Sequence, residues 1–263
     1  MSVFVFDIET VPDTAAGRKL WDLGDLDDSG VAAAMFSKRL QETSGNSDFL
    51  RHHVQRIVAI SAVFASKDRV NVWSLGEEDS DESELISRFF EGVEKYSPTL
   101  VSWNGSGFDL PVLHYRALMH GIQAPRYWDT GDDDRNFRYN NYLGRFHWRH
   151  VDLMDVLAAY QARAFVPLDQ IATLLGFPGK MGMSGARVWD QFQAGAIREI
   201  RNYCETDVLN TYLVYLRFQL IRGHLQRAEY DSECERLASM LESAGQQHLS
   251  EFLDAWRPTD AQS

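Results

Sequence analysis

Cysteine is nearly missing from this chain of 263 residues: Cys204 and Cys234 are too few for a disulfide framework or a cysteine-based zinc site. The opening Met1-Ser2-Val3-Phe4 lacks a basic segment followed by a long apolar stretch, so no secretory signal is visible. No run approaches the roughly 20 apolar residues that cross a bilayer. These absences point to a cytoplasmic, reduced protein with no membrane partner. Internal repeats, low-complexity tracts and a linker long enough to separate two large domains are missing too. Positive charge is also short, 26 Lys and Arg against 38 Asp and Glu, for a net charge of −12. A protein that grips nucleic acid through its phosphates usually carries a basic footprint. Tight, non-specific binding is therefore disfavoured. A brief hold on a chain end, with bound cations supplying the positive charge, is not.

What is present is an ordinary globular composition, 44% hydrophobic and 24% charged, long enough for one sizeable core plus a small helical appendage. Aromatic residues reach 12%, which suits a dense core or surfaces that stack on bases. Acids cluster at Glu77–Glu84 and Asp132–Asp134, as in solvated loops or helix starts. Val3–Glu9 is apolar until it meets acid, as a buried strand is at its exit. Residues 13–50 are polar and punctuated by Gly, Ser and Asp, an excursion with a short helix or two. Arg56–Phe64 and Arg69–Leu75 predict strands joined through Ser66-Lys67-Asp68, and Glu82–Lys95 a helix stopped by Pro98. Thr99–Trp103 is a short strand; a loop follows, then a helix from Pro111 through His120. His150–Asp155 is ambiguous. Leu168–Leu175 predicts a short helix, Ala196–Arg222 the longest one, and residues 230–256 two more. The order is that of an α/β or α+β core with a helical C-terminal end.

Three short patterns carry chemistry. Asp7 and Glu9 are two apart on a strand, so their carboxylates share a face and repel unless something positive lies between them. Asn104-Gly-Ser-Gly-Phe108-Asp109 follows a strand; its glycines allow close approach of a ligand. Leu110 stands where a dinucleotide fingerprint has its third glycine, and no Walker lysine follows. Tyr203 and Asp207 are four apart on a helix and share a face. Each pattern alone has a structural reading: a frayed strand end, a capped turn, a solvated pair.

In this order and context the three resemble the exonuclease motifs of the DEDD superfamily, tyrosine subclass. Asn104-x-x-x-Phe108-Asp109 and Tyr203-x-x-x-Asp207 are most similar to the proofreading domain of family B DNA polymerases and to the stand-alone predicted exonucleases related to it. The resemblance runs from about Val3 to about Leu220. It implies a ribonuclease H-like mixed sheet flanked by helices, with extra C-terminal helices. Residues 1–222 would form the exonuclease domain and 223–263 an extension packed on it. It implies a 3′-5′ exonuclease using two Mg2+ or Mn2+ ions on single-stranded DNA. The same fold serves exoribonucleases, and a silent binding module is a third possibility. Asp7 would bridge both metals, Glu9 and Asp207 complete one site, Asp109 serve the other, and Tyr203 orient the attacking water. Asn104 and Phe108 would hold the terminal nucleotide.

Residues 135–150 contain no acid and interleave Arg135, Arg138, Arg145 and Arg149 with five aromatics, as a single-strand binder does. The plainer reading is a β-hairpin with core aromatics and solvated arginines. His147 and His150 lack the cysteines that would make zinc credible. Gly179–Arg187, containing Lys180, reads equally as a flexible cationic loop that touches the nucleic-acid backbone and as a simple connection between helices. Arg138, Arg149 and Lys180 are the expected phosphate contacts.

Overall fold

The computed structural model describes residues 2–257. Its strands are β1 (Val3–Pro12), β2 (Gln55–Ala65), β3 (Val70–Ser74), β4 (Thr99–Ser102) and β5 (His150–Asp152). They form one sheet in the order β3-β2-β1-β4-β5. β1, β2 and β3 are antiparallel neighbours, while β4 and β5 run parallel to β1. This is the mixed, ribonuclease H-like arrangement expected. β1 takes the centre because both its faces are apolar. Phe4, Phe6 and Ile8 point to one side, Val5 to the other, and all four are buried. The register with β2 shifts between Glu9 and Thr10, leaving Val58 as an extra residue. Such a bulge sharpens the twist and re-aims side chains, here just beyond the two β1 carboxylates.

Between β1 and β2 lie α1 (Thr14–Trp21) and α2 (Asp28–Glu42); α3 (Glu82–Tyr96) precedes β4, and α4 (Asp109–His120) and α5 (Pro125–Trp128) follow it. After β5 come α6 (Leu153–Leu157), α7 (Leu168–Leu174), α8 (Val188–Gln193), α9 (Ile197–Ile221), α10 (Arg227–Ala244) and α11 (Gln247–Trp256). The Asp81 side chain caps α3 by accepting from the Glu84 N–H. That helix lays Leu85, Ile86, Phe89, Phe90 and Val93 on the Phe4 side of the sheet. The opposite side is covered by α9, buried over most of its surface because the sheet lies on one flank and α10 and α11 on another. Leu237, Leu241, Leu249 and Phe252 join Val5, Val101 and Leu213 in one apolar cluster. Helices α10 and α11 therefore complete the sheet's core rather than enclosing one of their own.

The 13–50 excursion is more ordered than its polarity foretold. It is a helical arm with a small cluster of Val31, Met35, Leu50 and Val54. Its root is fixed where the buried Arg116 guanidinium bridges Asp13 and Glu82. Residues 135–150 are not a hairpin: a 3-10 turn over Arg135–Arg138 and further turns lead into β5 at His150. Among the described residues, no helix is long and apolar enough to cross a membrane.

Candidate active site

The alternation of β1 sends Asp7 and Glu9 to the α9 side, and α9 presents Tyr203, Cys204 and Asp207 to them. The Cys204 thiol lies 3.4 Å from the Asp7 carbonyl and 3.7 Å from its Oδ2. One carboxylate oxygen each of Asp7 and Glu9 and the Cys204 Sγ lie within 4.8 Å of one another. Asp109, the first residue of α4, reaches β1 from the other side of the strand end: its Oδ1 accepts from the Ile8 N–H at 3.1 Å. Glu9 and Asp109 are buried, whereas Asp7 and Asp207 keep a partly open edge. A strand and two helices thus carry four carboxylates to one end of β1.

Burial and crowding set their charge. Burial first, then Asp109, Glu9 and Asp207, hold the Asp7 carboxyl well above the usual range. Glu9 is raised by burial and by Asp207 and Asp109, with Lys180 opposing. Burial pushes Asp109 up to about 7 against the pull of its backbone hydrogen bonds. Asp207 is pushed up to about 6, with Tyr203 and Lys180 opposing. Burial and the neighbouring carboxylates, Asp207 first among them, raise the Tyr203 phenol, so it keeps its proton beside Asp207. Cys204 is raised by burial too, remaining a thiol that donates weakly to Asp7 rather than a thiolate ligand. The remaining donors are hard oxygens, and they fit Mg2+ or Mn2+ better than zinc.

The loop after β4 is held by a residue the sequence left ambiguous. Asp152, at the end of β5, accepts from the Asn104 and Ser106 N–H groups at 2.9 Å each, and also caps α6. Asn104 is left-handed at φ 66°, and its carbonyl accepts from the Gly107 and Phe108 N–H groups. A side chain at Gly105 would stand 2.2 Å from the Ser102 hydroxyl, so only glycine fits this turn. The readable signal was a carboxylate ending a short strand just before an apolar helical run. Asn210, three residues beyond Asp207, was missed as well. Its amide makes two hydrogen bonds to the Gly179 backbone, at 3.1 and 2.9 Å, and so latches the cationic loop to α9. Lys180 is thereby carried to where it acts on Glu9 and Asp207.

The two arginines are elsewhere. Arg149 packs its guanidinium on Phe137, 4.5 Å from the ring centroid, and donates to the Ser97 carbonyl at 3.2 Å. Ser97 precedes β4, so Arg149 lies at the opposite end of that strand from Asn104. Arg138 sits against Gly131 in the acidic 129–134 loop. Phe137 and Tyr142, two aromatics of that stretch, are core residues. Phe108 lies beside the site, its ring packed against Phe49 and His52.

Residues 47–256 match the family described as "Predicted 3'-5' exonuclease related to the exonuclease domain of PolB". The chain belongs to that family. Within the match lie Asn104, Phe108, Asp109, Tyr203 and Asp207; Asp7 and Glu9 precede it and meet it through the sheet register and α9. Relatives of this family member include the catalytic chain of DNA polymerase epsilon from Schizosaccharomyces pombe, 21% identical over 148 residues, and that from Saccharomyces cerevisiae, 22% over 152. Each alignment takes in 53% of this chain but only 6% of the polymerase's own length. Among solved structures, the family B DNA polymerase from the hyperthermophilic archaeon Pyrobaculum calidifontis aligns with 92% of this chain and 28% of its own, at 18% identity and a TM-score of 0.46.

Proposed function

We propose that this exonuclease removes nucleotides from the 3′ end of single-stranded DNA, using two divalent cations, Mg2+ or Mn2+. The observation that carries the reading is the meeting of Asp7, Glu9, Asp109 and Asp207 in one crowded pocket. That pocket would hold divalent cations, whose chemistry when bound would be to supply a hydroxide nucleophile near neutral pH and positive charge beside the leaving oxygen. Asp7, which feels all three other carboxylates, would be the ligand shared by both ions. Glu9 and Asp207 would hold one ion with it, and Asp109 would hold the other. Tyr203, protonated and beside Asp207, orients the attacking water. Asn104 and Phe108 hold the terminal nucleotide, and Lys180 faces its phosphate.

The test is hydrolysis of 5′-labelled single-stranded DNA and RNA of one sequence with Mg2+, with Mn2+ and with EDTA. Laddering of DNA from the 3′ end that vanishes in chelator is expected. Asp7→Ala and Asp207→Ala should each abolish the ladder while the far-ultraviolet circular dichroism stays unchanged. Strands that remain intact, or cleavage that chelator does not touch, contradict the proposal; a ladder on RNA alone moves the substrate to RNA.

A further inference from the structure

Near the carboxylate pocket, Phe49 and Tyr115 are exposed rings, and the partly buried Phe108, which packs one side on the core, lies in line with them. Phe49, at the end of the helical arm, is 56% exposed, and its ring centroid lies 5.4 Å from that of Phe108. His52 stands 5.8 Å from the same Phe108 ring, and its Nε2 is 2.9 Å from the Gly107 carbonyl. That bond ties the arm to the loop that delivers Asp109. Further along α4, Tyr115 is 47% exposed and meets His53 edge-on at 6.1 Å. Phe108 and Tyr115 are seven residues apart, so they share one side of the helix, about 10 Å from each other. An aromatic row therefore leads away from the pocket, built half from α4 and half from the arm.

Such a row is a poor place to waste apolar surface in water. Base–aromatic stacking is tolerant of sequence and needs no phosphate contact. That matters in a chain of net charge −12, whose arginines at 138 and 149 lie away from the pocket. The neighbouring Arg51 is paired with Glu42.

We infer that Phe49, Phe108 and Tyr115 form a stacking track on which the single strand lies as it enters the carboxylate pocket. The inference rests on the exonuclease reading and names how that site holds its substrate: by base faces rather than by phosphates. Phe49 and Tyr115 touch the strand upstream of the reacting phosphate, so they set affinity and not the chemical step. His52 is a positioning residue, fixing the arm against the Gly107 carbonyl. Binding then depends weakly on salt, because few counterions are released when few phosphates are neutralised.

The experiment compares binding of a labelled oligothymidine of about 12 nucleotides with that of an abasic strand of equal length, in EDTA and over a salt series. The wild-type chain should prefer the strand with bases by on the order of tenfold or more. Phe49→Ala and Tyr115→Ala should each erase most of that preference and leave abasic binding unchanged, while Phe49→Trp and Tyr115→Phe retain it. Equal affinity for the two strands, no binding of either, or alanine variants indistinguishable from wild type overturns the track. The same proteins are then given Mg2+ and a 3′ end. Cleavage with no base preference defeats the track alone, and base-dependent binding without cleavage defeats the exonuclease reading alone.

Discussion

Asp109 and Asp207 hold protons that an ordinary aspartate would have lost, with their carboxyls pushed up to about 7 and about 6. The folded chain thus binds protons more tightly there than the unfolded chain does. The corresponding stability is present below the ordinary aspartate range and is lost as pH rises through about 6 and about 7. A divalent cation replaces those protons, so its effect has the opposite slope. In EDTA the melting temperature should fall between about pH 5 and about pH 8, and Mn2+ should raise it more at the upper value than at the lower. A melting temperature indifferent to Mn2+ across that range argues against the carboxylates as ligands. Tyr203 gives a second prediction. Tyr203→Phe removes the hydroxyl beside Asp207, the group proposed to orient water, while keeping the ring. The turnover number should drop by on the order of a hundredfold with KM nearly unchanged. A rise in KM alone would assign the phenol to binding instead.

Whole elements, rather than residues, put these groups together, and here the sequence was readable in an instructive way. The two-residue spacing of Asp7 and Glu9 and the four-residue spacing of Tyr203 and Asp207 state their faces directly, because strand and helix periods do not depend on partners. What holds the loops is not written in any period. Asp152 under the Asn104 loop and Asn210 under the Lys180 loop act through backbone groups of distant residues. The stretch 135–150 shows the opposite failure. Composition counts its aromatics and arginines without telling which turn inward, and Phe137 and Tyr142 went to the core with Arg149 stacked on them. The arm was under-read because its apolar residues, Val31, Met35, Leu50 and Val54, are few and split between a helix and the chain after it. The Asn210 latch is testable. Asn210→Ala leaves two Gly179 backbone groups without their partner, which should cost about 1–3 kcal/mol in urea unfolding. It should also raise KM for the strand as Lys180 loosens. Unchanged KM would separate the latch from substrate binding.

At the scale of the molecule, the sheet is a platform that lets distant parts of the chain meet at one end of β1. The α/β class was legible because apolar strands precede long amphipathic helices; the strand order was not, since pairing depends on contacts that no local pattern encodes. The C-terminal helices show how far the core extends. α11 brings His248 to within 2.7 Å of the buried Glu205 carboxylate, which the Ser74 hydroxyl also reaches. Ser74 in turn touches Ser61 on β2, whose hydroxyl also lies beside the Cys204 thiol. The helices after residue 222 thus brace the helix that carries Asp207, from the side away from the pocket. All of this architecture converges on the crowded carboxylates to which cations are proposed to bind. Calorimetric titration of Mn2+ into the protein at about pH 8 measures that directly. Saturable binding that Asp7→Asn and Asp207→Asn each weaken is the result expected; no saturable binding, or binding equal in both variants and wild type, would contradict it.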